Sequence, residues 1–186
     1  MSESRLGPSE TLRRTGVPAE ADLDGLKSAL ARPAGMVAGP MAVLECFQRI
    51  PCDPCASSCK RGAIAPFADI NDLPAFDPEK CNGCGLCVAR CPGLAIFVVD
   101  ETFGPDEALI KLAYEFLPLP ERDGVVAALD REGRPTGQAR VVRVQRPKSK
   151  DESTVVWVAV PKSLAWVVRS IRVEEGRLAQ EASRES

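Results

Sequence analysis

The sequence predicts an α+β protein in which a cysteine-bearing segment precedes a small β-barrel or β-sheet. All 8 cysteines lie between residues 46 and 91, and that segment repeats itself at an offset of 32 residues. After residue 117 the chain instead shows short runs of β-branched residues separated by turn residues. The predicted parts are an N-terminal extension with a short helix (1–38), a cysteine domain (39–117), a small β domain (118–175) and a charged tail (176–186).

The N-terminal extension contains one helix candidate. Leucines recur at spacings of three and four residues between residues 19 and 31, which is the pattern of an amphipathic helix. Pro33 and Gly35 would end this helix. A short apolar run, Met41–Leu44, then leads into the first cysteine and predicts a strand.

The β domain contains three strand candidates. They are Val125–Leu129, 138–145 and 154–160. Val142 breaks the alternation of the second candidate, and Pro161 predicts a short helix that continues to Arg169. The basic run over residues 140–150 favours a solvated strand edge, with a docking surface for an acidic partner as the alternative.

Composition excludes several classes of site. The chain has no histidine, so it cannot build a Ser-His-Asp triad, histidine-ligated zinc or haem, or a Rieske centre from its own residues. The net charge of −2 lacks the basic excess of a nucleic-acid-binding protein. The start has no apolar signal-peptide region, and the longest apolar runs span 6 residues, against about 20 in a membrane-spanning helix. We expect a cytoplasmic protein with no nucleic-acid partner and no membrane insertion.

The second group of cysteines carries the strongest motif. Cys81, Cys84, Cys87 and Cys91 follow the spacing C-x2-C-x2-C-x3-C, with Pro92 next, which is the spacing of bacterial ferredoxin sites. Three thiolates two residues apart wrap around one cluster only if the backbone turns tightly, and the glycines between them permit such turns. The motif therefore predicts a 4Fe–4S cluster.

An upstream copy of the motif makes the internal repeat. At an offset of 32 residues, Cys52, Cys55 and Cys59 match the last three cysteines of the second group. The first ligand departs from the repeat: Cys46 lies three residues before the position that the offset predicts, and Lys60 stands where a proline is expected. These features predict a two-cluster bacterial-ferredoxin-like domain whose first ligand loop is enlarged.

In two-cluster ferredoxins the fourth cysteine of each run binds the other cluster. The same exchange here assigns one cluster to Cys46, Cys52, Cys55 and Cys91. It assigns the other to Cys81, Cys84, Cys87 and Cys59. No cysteine is left over, and no side chain is assigned a catalytic role.

Three alternatives stay open at this point. A pair of zinc sites would use C-x2-C pairs on separate knuckles rather than triplets. The enlarged first loop could hold a 3Fe–4S cluster or none. Lys60 is either a cation that raises the potential of a cluster or a surface lysine.

The connecting sequences resemble a particular family. They lie at residues 45–55 (ECFQRIPCDPC), 69–74 (DINDLP), 91–97 (CPGLAIF) and 114–120 (YEFLPLP). Together they look like the small 4Fe–4S subunits that accompany bacterial FAD-dependent amino-acid dehydrogenases of the proline, hydroxyproline and opine type. The resemblance implies an electron-transfer subunit that takes electrons from a flavoprotein amino-acid or amine dehydrogenase and passes them to an external acceptor.

The chain shows no flavin or nucleotide fingerprint of its own, so FAD or FMN is expected only on a partner subunit. A non-catalytic electron-transfer subunit of an oxidoreductase is therefore favoured over an enzyme by itself. The alternatives are a free-standing diffusible ferredoxin and an iron–sulfur subunit of another redox complex.

Overall fold

The computed structural model describes residues 9–30 and 38–173. The described helices are α1 (Glu10–Thr15), α2 (Glu20–Ala29), α3 (Pro54–Ser58) and α4 (Leu86–Arg90), with a 3-10 turn at Lys162–Leu164. The strands are β1 (Met41–Leu44), β2 (Ile96–Asp100), β3 (Glu107–Tyr114), β4 (Val125–Leu129), β5 (Pro135–Gln145), β6 (Thr154–Pro161) and β7 (Ser170–Arg172). Helix α2 lies within the predicted helix, whereas Pro33, Gly35 and the tail 176–186 fall outside the described residues.

All seven strands form one antiparallel sheet in the order β1-β2-β3-β6-β5-β4-β7. Strands β3 and β6 pair over their whole lengths, from Glu107 with Pro161 to Tyr114 with Thr154. This pairing joins the strands of the cysteine segment to those of the C-terminal segment. The division at residues 117 and 118 stays a prediction, and the sheet runs across it.

Strand β5 contains the irregularity that the sequence marks at Val142. Val141 pairs with Val158 and Arg143 with Trp157, so one residue of β5 has no counterpart on β6. Such a bulge lets the strand change which side chains face the core.

Strand β5 pairs with β6 on one side and, only as far as Arg140, with β4 on the other. The prediction of a solvated strand edge and loop is therefore wrong for Arg140, whereas Arg143 lies beyond the pairing with β4 and the basic residues after the strand are exposed.

Both faces of the sheet are covered where β1, β2 and β3 run. Val43 and Phe97 belong to one buried cluster, while Ala42, Leu44 and Val98 belong to a second cluster together with α4 and several cysteines. A strand that is buried on both faces reads as a continuous apolar run instead of an alternation. For this reason β2 and β3 cannot be predicted from an alternation of apolar and polar residues.

The predicted helix from Pro161 to Arg169 is wrong. Only Lys162–Leu164 is helical, as a 3-10 turn. The backbone N–H of Arg169 donates to the carbonyl of Leu129 at 2.9 Å, because the chain here already turns into β7 alongside β4.

Truncating Leu112 tests the central strand pair. Its side chain is fully buried in β3, so Leu112→Ala should lower the free energy of unfolding by about 2–5 kcal/mol. Leu117→Ala is the matched control, since Leu117 is 86% exposed and its truncation should cost less than about 0.5 kcal/mol. Urea unfolding followed by circular dichroism measures both, and equal losses would contradict the described burial.

Candidate iron–sulfur site

Two short helices position the cysteines. Helix α4 begins and ends 32 residues after α3, which is the offset of the sequence repeat. Each helix carries a buried cysteine in its first turn, Cys55 in α3 and Cys87 in α4. Each is capped at its C-terminus by the last cysteine of its run, Cys59 or Cys91. The two runs therefore share one local backbone arrangement around their last three cysteines.

The eight cysteines line two cavities, four to each. The larger cavity, of about 450 Å³, is lined by Cys46, Cys52, Cys55 and Cys91. The smaller cavity, of about 20 Å³, is lined by Cys59, Cys81, Cys84 and Cys87. These are the two sets that the ligand exchange predicts, with Cys91 and Cys59 each at the cavity of the other run. Binding of iron by these sets stays a prediction.

Backbone amides point at two of the sulfurs. The N–H groups of Ala42 and Gly83 both donate to Cys81 Sγ at 3.4 Å. The N–H of Ala95 donates to Cys91 Sγ, also at 3.4 Å. Such donors stabilise negative charge on sulfur and tune the potential of iron–sulfur clusters. Each set of four thiols includes one sulfur that accepts backbone N–H groups, Cys81 or Cys91, and such a donor set fits a 4Fe–4S cluster.

Burial and repulsion by neighbouring cysteines raise the pKa of the two helix cysteines. Burial raises the pKa of Cys55 to about 11, and the charge of Cys91 adds to the rise. Burial raises the pKa of Cys87 to about 12, with Cys81 as its strongest repelling neighbour and Cys59 among the others. Metal ligation requires thiolates, so a cluster must displace these protons when it binds. Cys91 of the second run thus repels charge on Cys55 of the first run, and Cys59 of the first run repels charge on Cys87 of the second.

All eight cysteines are free, with no disulfide. Among the described residues, no three histidine, cysteine, aspartate or glutamate side chains are placed to hold one metal ion. A zinc site gathers four donors at about 2.0–2.3 Å from a single atom. The described cysteines are arranged around the two cavities and not around such a point.

A buried ion cluster that sequence reasoning missed lies at the larger cavity. Glu45 accepts hydrogen bonds from Arg131 at 2.6 and 2.8 Å and from Arg169 at 2.7 Å. Burial alone would raise the pKa of Glu45, but the hydrogen bonds and charges of the two arginines lower it below its ordinary value. Glu45 follows β1 and Arg169 precedes β7, so this cluster bridges the two edge strands of the sheet.

A buried lysine lies beside the smaller cavity. Lys111 of β3 donates from Nζ to the carbonyl of Gly83 at 2.6 Å, and its Nζ lies 3.9 Å from the ring centre of Trp157. Burial lowers the pKa of Lys111. The sequence contains one signal for this buried lysine, which is that Lys111 is the single charged residue inside the apolar run 108–114. Lys60, by contrast, is exposed, as the surface alternative expects.

Comparison with known proteins agrees with this donor set. The family described as a 4Fe-4S binding domain matches residues 74–97, which contain the second cysteine run. Over 58 residues, 29% of the chain, the sequence is 40% identical to one subunit of the Na(+)-translocating ferredoxin:NAD(+) oxidoreductase complex of Acetobacterium woodii. Over 52 residues, 27% of the chain, it is 36% identical to the ferredoxin-type protein NapF of Escherichia coli.

These matches cover only 16% of the Acetobacterium woodii protein and 32% of NapF. No solved structure matches the chain. Within the described ranges, no helix is long and apolar enough to cross a membrane. The matches support an iron–sulfur electron carrier.

Substituting Gly83 tests how tightly the second loop is packed. Gly83 has φ +65°, and an added Cβ would collide with Pro40, 2.8 Å from its carbonyl carbon. Gly62 is the matched control, with φ +64° and nothing within 4 Å of an added Cβ. Both alanine variants carry the strain of a left-handed backbone, about 1–2 kcal/mol. Only Gly83→Ala adds the cost of overpacking, about 1–3 kcal/mol.

Thermal unfolding of the iron-loaded chain measures this difference, and iron per chain reports whether the loop still holds its ligands. We expect Gly83→Ala to unfold at lower temperature than Gly62→Ala and to retain less iron. Equal behaviour of the two variants would show that Gly83 does not pack against Pro40.

Proposed function

We propose that the chain is a cytoplasmic iron–sulfur electron-transfer subunit with two 4Fe–4S clusters. In this role it relays electrons from a flavoprotein amino-acid or amine dehydrogenase to an external acceptor. The observation that carries the proposal is the division of eight free cysteines into two sets of four around two cavities. Each 4Fe–4S cluster, when bound, stores and releases one electron at a time.

Residues of this chain offset negative charge on the sulfurs and exclude water at the two proposed sites. Backbone N–H groups donate to Cys81 and Cys91, which offsets negative charge on the sulfurs. Ile64 and Ile96, both 2% exposed, pack in the same apolar cluster as the cysteines and keep water away. Burial and donated hydrogen bonds are the protein's means of setting a cluster's potential.

The two sites are in contact with each other, as a relay requires. Helices α3 and α4 pack together, and their cysteines Cys55 and Cys87 lie in one buried cluster. The charge of Cys55 is among the causes that raise the pKa of Cys87. An electron that reaches one site is therefore close to the other.

The flavoprotein partner rests on the resemblance of the connecting sequences. One relative is, by its name, a subunit of an oxidoreductase complex, which supports a role within a larger assembly. The four strands beyond residue 117 add a segment that a minimal two-cluster ferredoxin does not need. The second candidate is a diffusible ferredoxin, favoured by the match to a ferredoxin-type protein.

The exchanged ligands give a direct test of the two clusters. Cys59→Ser should alter the same electron paramagnetic resonance signal as Cys84→Ser, because both side chains line the smaller cavity. Cys91→Ser should alter the signal that Cys52→Ser alters, because both line the larger cavity. If Cys59→Ser instead affected the signal that depends on Cys52, each run would bind its own cluster and the exchange would be wrong.

Purification of the tagged chain from its native host tests the partner. Under anaerobic conditions the chain should elute with larger chains, with flavin, and with about eight irons per copy of this chain. An amino acid that bleaches the flavin should then reduce the clusters. A chain that elutes alone, brown and without flavin, would favour the diffusible ferredoxin.

A further inference from the structure

Arg169 has one nitrogen, Nη2, whose N–H groups find no acceptor among the described residues. Its Nε donates to Glu45, and its Nη1 donates to the carbonyls of Ala165 at 3.1 Å and Val168 at 2.7 Å. Its Nη2 is buried and has no hydrogen-bond partner among the described residues. The side chain is only 3% exposed. A buried guanidinium N–H without an acceptor is costly, which indicates that an acceptor joins the site.

The cavity beside Arg169 supplies a place for that acceptor. Arg169 lines the larger cavity together with Cys46, Cys52, Cys55 and Cys91. Cluster sulfides and cysteine thiolates are hydrogen-bond acceptors whose potential depends on the donors they receive. Arg169, whose Nη2 has no acceptor among the described residues, therefore lines the same cavity as the four thiols.

The buried ion cluster at this cavity has a net positive charge. Arg131 and Arg169 carry two positive charges against the single negative charge of Glu45. The other acids that line the cavity, Asp72 and Asp130, form ion pairs with Arg49 and Arg134. Within the buried cluster of Glu45, Arg131 and Arg169 one positive charge is left over, and these side chains are largely shielded from water, where charges interact more strongly than at the surface.

Among the described residues, the one cation that lines the smaller cavity is the exposed Arg61. The other buried donor without a partner, Trp157 Nε1, belongs to a residue that does not line this cavity. The buried cation near the smaller cavity, Lys111, directs Nζ to the Gly83 carbonyl and to the ring of Trp157. Lys111 thus supplies a charge that holds the loop in place, whereas Arg169 supplies a charge and an N–H that has no acceptor among the described residues.

We propose that Arg169 donates from Nη2 to the cluster bound at Cys46, Cys52, Cys55 and Cys91 and raises the potential of that cluster. This inference rests on the proposed function. Reduction adds one electron to the cluster and moves no proton, and the electron comes from the reduced flavin of a partner. The N–H and the positive charge stabilise the added negative charge, which raises the potential of this cluster.

The test is a potentiometric titration of the purified, iron-loaded chain, with dithionite as reductant and electron paramagnetic resonance as readout. The signal that Cys52→Ser alters identifies the cluster at the larger cavity. In Arg169→Gln, the ratio of reduced to oxidised cluster at a fixed potential should fall at least about tenfold for that signal, a shift of about 59 mV for one electron. The other signal should move much less.

Glu45→Gln should shift the potential in the opposite direction from Arg169→Gln. A substitution that merely loosens the fold would not produce shifts of opposite direction. Glu45→Gln removes a negative charge and keeps both arginines, so it should raise the potential of the same cluster. If Arg169→Gln fails to fold or to hold iron, Arg131→Gln replaces it, since Arg131 is 14% exposed and its loss should also lower that potential. Lys111→Gln is the matched control at the smaller cavity and should move the other signal instead.

Unchanged potentials, equal shifts of both signals, or shifts of one sign in Arg169→Gln and Glu45→Gln would overturn the role of Arg169. The proposed function fails separately: a wild-type chain with fewer than two clusters contradicts it before any variant is titrated. A wild-type chain with about eight irons and an unmoved signal in Arg169→Gln contradicts only this inference.

Discussion

The pairing of β3 with β6 is the constraint on which the rest of the structure depends. It runs from Glu107 to Tyr114 on one strand and from Thr154 to Pro161 on the other. It joins segments that composition alone separates into a cysteine part and a β part. Lys111 and Trp157 are direct partners in this register, so the same pairing that builds the sheet also buries the lysine that binds the Gly83 loop. The smaller cavity is therefore anchored by a strand far from it in sequence.

Side chains next to the two edge strands of the same sheet meet at the larger cavity. Glu45 and Arg169 lie 124 residues apart, next to the two edge strands. The edge strands β1 and β7 are not hydrogen-bonded to each other. The contact between Glu45 and Arg169, together with Arg131, joins these two edges through side chains. Buried ion pairs contribute more to fixing one arrangement than to net stability. Here that arrangement places two guanidinium groups at a cavity lined by four cysteines, so the closure of the sheet and the charge of the site come from the same three residues.

The sequence was most informative where a local rule applies. The spacing of the cysteines, the repeat and the ligand exchange of two-cluster ferredoxins predict two sets of four cysteines. Each set lines one cavity, and binding of iron by these sets stays a prediction. Met41–Leu44 and Val125–Leu129 are predicted with the bounds that the structure has. Strands β2 and β3 were not predicted, because burial on both faces removes the alternation of apolar and polar residues. Arg169 was assigned to a helix because Pro161 can begin one, while its pairing with Leu129 is a long-range contact that no local pattern contains. The ion cluster and Lys111 likewise depend on contacts between segments far apart in sequence.

We propose that the chain holds two iron–sulfur clusters with exchanged ligands. Anomalous diffraction at the iron absorption edge, from crystals of the chain purified and grown without oxygen, tests it most directly. We expect two four-iron centres, one in contact with Cys46, Cys52, Cys55 and Cys91 and the other with Cys59, Cys81, Cys84 and Cys87. A single centre, a zinc signal at either cavity, or two centres each bound by one cysteine run alone would contradict the account.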